Sequence, residues 1–230
     1  MTKLPKGTPW YDAGAKRTLD FLFAALAFIV LLPLMLLIVV LLLIFQPGWP
    51  IFRQKRVGFR CCHFYIYKFR TMTEERGEDG ELLPDEARTT LIGSVLRATS
   101  LDELPELINI LRGDMSLIGP RPWVPEQMST FSERTQRRRM SVRPGLSGFA
   151  QILGRNNISL RQRICLDLRY IRHRSPALDT IIFFLTIYKV LKREGIYASP
   201  AAVRRSPLGA APKDPTTKGR RANQLQRSTD

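Results

Sequence analysis

Apolar and polar positions are very unevenly spread along this chain. Phe21 to Phe45, "FLFAALAFIVLLPLMLLIVVLLLIF", carries no charge and almost no polar group. As one helix it would run ~37 Å at ~1.5 Å per residue, against a hydrocarbon core of ~30 Å. It is too long for the apolar part of a secretion signal, and no small-residue cleavage site follows. Positive residues flank it on both sides, with Lys16 and Arg17 before it and Arg53, Lys55 and Arg56 after it. Positive flanks prefer one face of a membrane, so both ends claim the same face. Pro33 near the middle removes a helix hydrogen bond. The pattern predicts a re-entrant helix–break–helix hairpin over 16–50, broken at Pro33, with an ordinary kinked span as the alternative.

Beyond it the periods shorten. "FRQKRVG" and "CHFYIYKFRTM" read as two strands of a small β-hairpin. Leu91, Ile92, Val95 and Leu96 fall at helical spacing after "DEART". A helix follows through Leu107, Ile108 and Leu111, and another is predicted from Pro125 to Met140. "VRPGLSGFAQILGRNN" reads as a glycine-marked loop with a short strand. Leu160, Ile164, Leu168 and Ile171 form an apolar stripe among arginines, and "ALDTIIFFLTIYKVLKREG" forms a last helix for the core or a membrane interface. The fold class expected is α+β, mostly helical, with amphipathic interfacial helices. The chain divides into an N-terminal tail (1–15), the membrane helix (16–50), a catalytic domain (51–197) and a Pro-, Ala- and Arg-rich tail (198–230) expected to be disordered.

Charge then narrows the chemistry. The net charge is +16, with a pI near 10.5. This points to an anionic partner: nucleic acid, an acidic membrane or a phosphorylated substrate. No recognised nucleic-acid module accompanies the charge. Cys61, Cys62 and Cys165 form no disulfide framework, and His63 and His173 are too few and too far apart for a zinc site. P-loop, G-x-G-x-x-G and D-x-D patterns are absent. Lys16, Arg17, Lys68, Arg70, Arg97, Arg121 and Arg155 lie in or beside Gly- and Pro-marked segments, where cations can bind phosphates.

"SLDELPEL", residues 100–107, holds the adjacent carboxylates Asp102 and Glu103. Ser100 and Glu103 match a capping box. Pro105, however, would lose a hydrogen bond at the fifth position of a helix capped by Ser100, whereas a helix capped by Asp102 tolerates it. The helix is therefore expected to begin at Asp102, with that carboxylate at the positive end of the helix dipole.

In order along the chain stand "KRTLD" (16–20), "FRQKRVG" (52–58), "YKFRTM" (67–72), "LRATSLDELPELINILRGDMSLIGPRP" (96–122), "VRPGLSGFAQILGRN" (142–156) and "LDLRYIRHRSPALD" (166–179). Together they resemble the bacterial sugar transferase family, the monotopic polyprenyl-phosphate phosphoglycosyl transferases. The similarity is greatest to small members such as the bacillosamine-phosphate transferase. The resemblance implies transfer of a sugar-1-phosphate from a UDP-sugar to a membrane polyprenyl (undecaprenyl) phosphate, with release of UMP. It implies Asp102 as nucleophile, forming a phosphosugar–enzyme intermediate, and Glu103 tied to Mg²⁺. Arg121 of "GPRP" is implied near the phosphates, and Lys16 and Arg17 near the acceptor. It also implies a re-entrant helix in lipid at the bacterial cytoplasmic membrane, with the catalytic domain on the cytoplasmic side. Gln151 and Arg155 are candidates for uridine contact, and an N-acetylated amino sugar such as bacillosamine is the favoured cargo. One departure is Leu32, where small members can carry Ser before the helix-breaking Pro.

Overall fold

The computed structural model describes residues 11–154 and 158–192. The predicted disordered tail from 198 and the candidate Arg155 lie outside the described residues. Residues 11–15, placed by the sequence in the N-terminal tail, form a π-helical turn, Tyr11–Ala15, in which Gly14 departs from helical geometry (φ 136°).

Helix α1, Lys16–Phe45, is continuous through Pro33. Pro33 does not end the helix and withholds only the hydrogen bond that a proline cannot donate. Its neighbours explain why it holds. One face is buried from end to end, at Asp20, Ala24, Met35, Ile38 and Leu42. Ala24, Ala27, Phe28 and Leu31 pack with Ile66, Leu107, Ile110 and Met115. Met35, Ile38 and Leu42 pack with Phe69, Leu96, Leu101 and Leu104. At the far end Gln46 donates to the Met72 carbonyl at 3.1 Å. The opposite face, with Ile29, Val30, Ile44 and Phe45, is exposed. A helix standing upright across a bilayer would touch its own domain at one end only. This one lies against the domain along its whole length.

Strands β1 (Ile51–Val57) and β2 (His63–Phe69) form the expected antiparallel hairpin, with Gln54 opposite Ile66 and Phe52 opposite Lys68. The free edge of β2 is closed by a side chain. Asn109, fully buried, accepts from the Tyr67 N–H (3.1 Å) and donates to the Tyr65 carbonyl (2.7 Å). A strand edge left unpaired inside a protein is costly, and one carboxamide here takes the place of a third strand.

The segment after the hairpin folds as a short helix α2 (Asp85–Arg88) and then α3 (Leu91–Thr99), whose N-terminus is capped by Thr90. A Cβ on Gly93 would sit 2.0 Å from the Thr71 carbonyl oxygen, so glycine alone lets α3 lie this close to the exit of β2. Ile92 and Leu96 face α1, while Leu91 and Val95 of the predicted stripe are exposed. Helix α4 runs Glu106–Arg112 and ends at Gly113 in the left-handed conformation (φ 93°). Arg17 donates to the Ile110 and Leu111 carbonyls at 2.6 and 3.0 Å. It thereby satisfies carbonyls that a helix end leaves open.

The remaining elements are β3 (Ser116–Ile118), α5 (Pro125–Ser129), α6 (Glu133–Arg139), β4 (Gly145–Ser147), α7 (Phe149–Gly154), α8 (Leu160–His173) and α9 (Pro176–Leu191). Strands β3 and β4 pair in parallel, Ser116 with Gly145 and Ile118 with Ser147. The single helix predicted from Pro125 to Met140 is two, because the chain turns at Thr130–Ser132 to bring Phe131 onto Trp123, with ring centroids 5.8 Å apart. The α8 stripe is as predicted, with Ile164 and Ile171 buried. Helix α9 buries Ile182 but exposes Ile181, Phe184 and Leu191.

Candidate active site

The dyad sits in a turn rather than at the head of a helix. Helix α3 stops at Ser100, whose backbone is left-handed (φ 57°), and Leu101–Glu103 follows as one 3₁₀ turn before α4. A non-glycine residue held there carries backbone strain of about 1 kcal/mol or more. The Ser100 side chain makes no cap, so the capping box is only a coincidence of pattern. The expected helix start at Asp102 is likewise displaced, to Pro105 and Glu106. The reversal at Ser100 frees both carboxylates from capping.

Glu103 turns toward cations. Lys68 from β2 donates to its Oε1 at 2.5 Å, and Arg121 Nη2 donates to the same oxygen at 2.8 Å. Lys68 also pairs with Glu106 Oε1 at 3.2 Å. Glu106, almost wholly buried at the start of α4, was not singled out from the sequence. Arg56 of β1 was missed as a site residue too. It donates to the Pro122 carbonyl at 3.2 Å, and the charges of Arg121, Glu106 and Glu103 all act on it.

The electrostatics separate the three acids. Burial opposes ionisation of Glu103, but Arg121 and Lys68 outweigh it and hold its pKa down at about 2. Burial, then the charge of Glu103, pushes Glu106 up to about 7. Burial and Glu103 likewise push Asp102 up to about 6, against the pull of Lys68, Arg97 and Arg121. Burial works against the Lys68 ammonium, yet Glu103 and Glu106 raise its pKa overall. Glu103 raises that of Arg121. Asp102 is thus a desolvated carboxylate ionised at neutral pH, and it makes no hydrogen bond among the described residues. That state suits a nucleophile, whose lone pairs stay available.

The structure gathers Asp102, Glu103, Lys68 and Arg121 in one place, with Arg97 close enough to act on Asp102. The Arg97 Nε donates to Thr71 Oγ1 at 2.9 Å, leaving its two terminal nitrogens for other partners. Arg70 pairs with the exposed Glu74 at 3.3 Å. Gln151 donates to the Leu146 carbonyl at 3.1 Å, and its buried Oε1 has no partner. Lys16 and Arg17 are engaged elsewhere. Arg17 holds the end of α4, and Lys16 pairs with Asp179 at 2.6 Å and Asp20 at 3.6 Å.

Among the described residues no group of three or more His, Cys, Asp or Glu side chains is arranged to enclose a metal ion. Mg²⁺ does not need such a cage. It commonly takes one or two carboxylates and completes its shell with water and substrate phosphates. Glu103, ionised and with Oε2 unbonded, fits that use.

Residues 11–193 match the family described as bacterial sugar transferase. The chain is 44% identical over 182 residues to the uncharacterized sugar transferase EpsL of Bacillus subtilis, covering 79% of this chain and 89% of that protein. It is 38% identical over 200 residues to the exopolysaccharide production protein ExoY of Sinorhizobium fredii, covering 80% and 88%. It is 39% identical over 191 residues to the UDP-glucose:undecaprenyl-phosphate glucose-1-phosphate transferase of Caulobacter vibrioides, covering 79% and 72%. The match takes in the hairpin, the Asp102–Glu103 turn, α4 and the Arg121 loop together, and this chain is an enzyme of the bacterial sugar transferase family.

Proposed function

We propose that the enzyme transfers a sugar-1-phosphate from a UDP-sugar to undecaprenyl phosphate, releasing UMP and starting a polysaccharide chain. The observation that carries this is Asp102: a half-buried carboxylate with no hydrogen bond among the described residues, one residue from a carboxylate clamped by two cations. An Asp102 oxygen attacks the β-phosphorus of the donor. The new O–P bond forms as the bond from that phosphorus to the bridging oxygen breaks, and UMP leaves with the electron pair. An oxygen of undecaprenyl phosphate then attacks the same phosphorus, and the bond to Asp102 breaks, restoring the carboxylate. Lys68, Arg97 and Arg121 balance the negative charge gathered on the phosphates. Mg²⁺ held by Glu103 would add further charge neutralisation at the diphosphate. A covalent intermediate lets a soluble donor and a lipid acceptor use one site in turn.

The exposed apolar face of α1 belongs in this reading as a lipid contact, with both helix ends on the cytoplasmic side. Labelling of single cysteines placed at residues 18 and 47 in intact cells tests it: protection of both supports same-side ends, and labelling of one overturns them.

Relatives named for a sugar include those for glucose, N-acetylgalactosamine and galactose, so the cargo is best found by a screen. UMP release is measured with undecaprenyl phosphate and UDP-glucose, UDP-galactose, UDP-N-acetylgalactosamine or UDP-linked bacillosamine. Acceptor-dependent UMP release with at least one donor is the expected result. No release with any of them, from folded protein in lipid, would sink the proposal.

A further inference from the structure

The loop that delivers Arg121 is pinned with unusual completeness. Four successive carbonyls are each taken by a donor: Pro120 by the Gly145 N–H (3.0 Å), Arg121 by Arg139 Nη2 (2.6 Å), Pro122 by Arg56 Nη1 (3.2 Å) and Trp123 by the Val57 N–H (3.0 Å). Arg139 is the one that stands out. It ends the basic run of α6, in which Arg137 is largely solvated, yet it is wholly buried. Its Nε donates to Asp167 Oδ2 of α8 at 2.8 Å, and its guanidinium lies 4.1 Å from the centre of the Trp123 ring.

A buried ion pair is seldom better for stability than the apolar side chains that could replace it. A planar guanidinium with donors fixed in a fork does offer exact placement of an acceptor. Arg121 needs that placement. Its side chain is 43% exposed and so is not fixed by packing. Where its guanidinium reaches depends on where its backbone is held. We infer that Arg139, locked by Asp167 and stacked on Trp123, is a positioning residue that keeps Arg121 aimed at Glu103. This rests on the reading of Glu103 and Arg121 as part of the reaction centre.

A double-mutant cycle separates positioning from mere support of the fold. Full-length Asp167→Asn, Arg121→Lys and the double variant are compared with wild type in lipid nanodiscs. The readouts are UMP release from an equimolar mixture of UDP-glucose, UDP-galactose and UDP-N-acetylgalactosamine with undecaprenyl phosphate, and thermal unfolding. Each single change is expected to lower kcat about tenfold, and the double to fall within about twofold of Arg121→Lys alone, because coupled residues are not additive. The loss of melting temperature from Asp167→Asn should be the same in both backgrounds. Losses that multiply to about a hundredfold, or wild-type turnover by Asp167→Asn, would overturn the inference. Arg139→Lys, which keeps the charge for Asp167 but not the fork for the Arg121 carbonyl, replaces Asp167→Asn if that variant does not fold. Wild-type turnover by Arg121→Ala would instead overturn the reading of the site itself.

Discussion

Two of the buried polar clusters among the described residues are built to opposite rules. At the base of α1, Asp179 accepts from the Tyr11 hydroxyl (2.6 Å), Lys16 Nζ (2.6 Å) and the Tyr170 hydroxyl (2.8 Å). Beside it Asp20 accepts from Ser116 Oγ (2.6 Å) and the Leu117 N–H (3.2 Å). Each carboxylate is met by several donors, most of them neutral, and the cluster ties α1 to β3, α8 and α9. At the dyad, charge faces charge. One oxygen of Glu103 serves two cations, Lys68 is shared between two acids, and Asp102 has no hydrogen-bond donor among the described residues. The first cluster is saturated and so holds elements together. The second keeps an unsatisfied member, which is unfavourable for folding and useful for reaction.

The largest test of this contrast is Asp102→Asn. With Asp102 in its proposed role as nucleophile, the change should lower turnover by about 10³–10⁴-fold or more. The same change should raise thermal stability by about 1–3 kcal/mol. The sign follows from a folded-state pKa raised from 3.8 to about 6. The ionised carboxylate is disfavoured in the fold, so its charge destabilises at pH values above that range. A melting temperature that falls would place Asp102 among the supporting groups. Next is the pH profile of the wild type. In the proposed reaction only ionised Asp102 attacks, so kcat/KM should rise about tenfold per pH unit below about 6 and flatten above it. A limb near 4 would mean that the carboxylate is solvated. The smallest effect on chemistry should come from Asp179→Asn. Breaking its pair with Lys16 should cost about 2–4 kcal/mol in unfolding experiments, with turnover per folded molecule within about twofold of wild type. A tenfold loss of turnover without a loss of stability would erase the distinction between the clusters.

The sequence reached the parts of this molecule that are local and missed those made by distant partners. The apolar helix, the hairpin and the α8 stripe are periodic, and their patterns can be read from neighbouring residues. Asp102, Glu103, Lys68 and Arg121 were singled out by composition and by linked motifs, and the fold brings them together. Glu106 is not marked by the sequence, where an acid near a helix start is ordinary. Only burial against Lys68, 38 positions earlier, makes it unusual. Nothing local separates Arg139 from the adjacent Arg137 and Arg138, and its partner Asp167 is 28 residues away. Strand β3, of three residues, is too short for any period to show, and the short strand expected among the glycines after Val142 is β4. Lys16 and Arg17 were read as phosphate binders because their charge was legible and their internal partners, Asp179 and the carbonyls at the end of α4, were not.

The packing of α1 along its full length also bears on how the protein is made. Arg17 finds its acceptors 93 and 94 residues downstream, Asp20 its donors 96 and 97 downstream, and Tyr11 its partner 168 downstream. At a synthesis rate of about 5–20 residues per second, roughly 5–35 s pass between the emergence of the helix and that of the surfaces it fits. Through that interval its inner and outer faces are both uncovered. The nascent chain therefore needs a temporary apolar host for the whole helix, and half of that contact must later be surrendered to the enzyme's own interior.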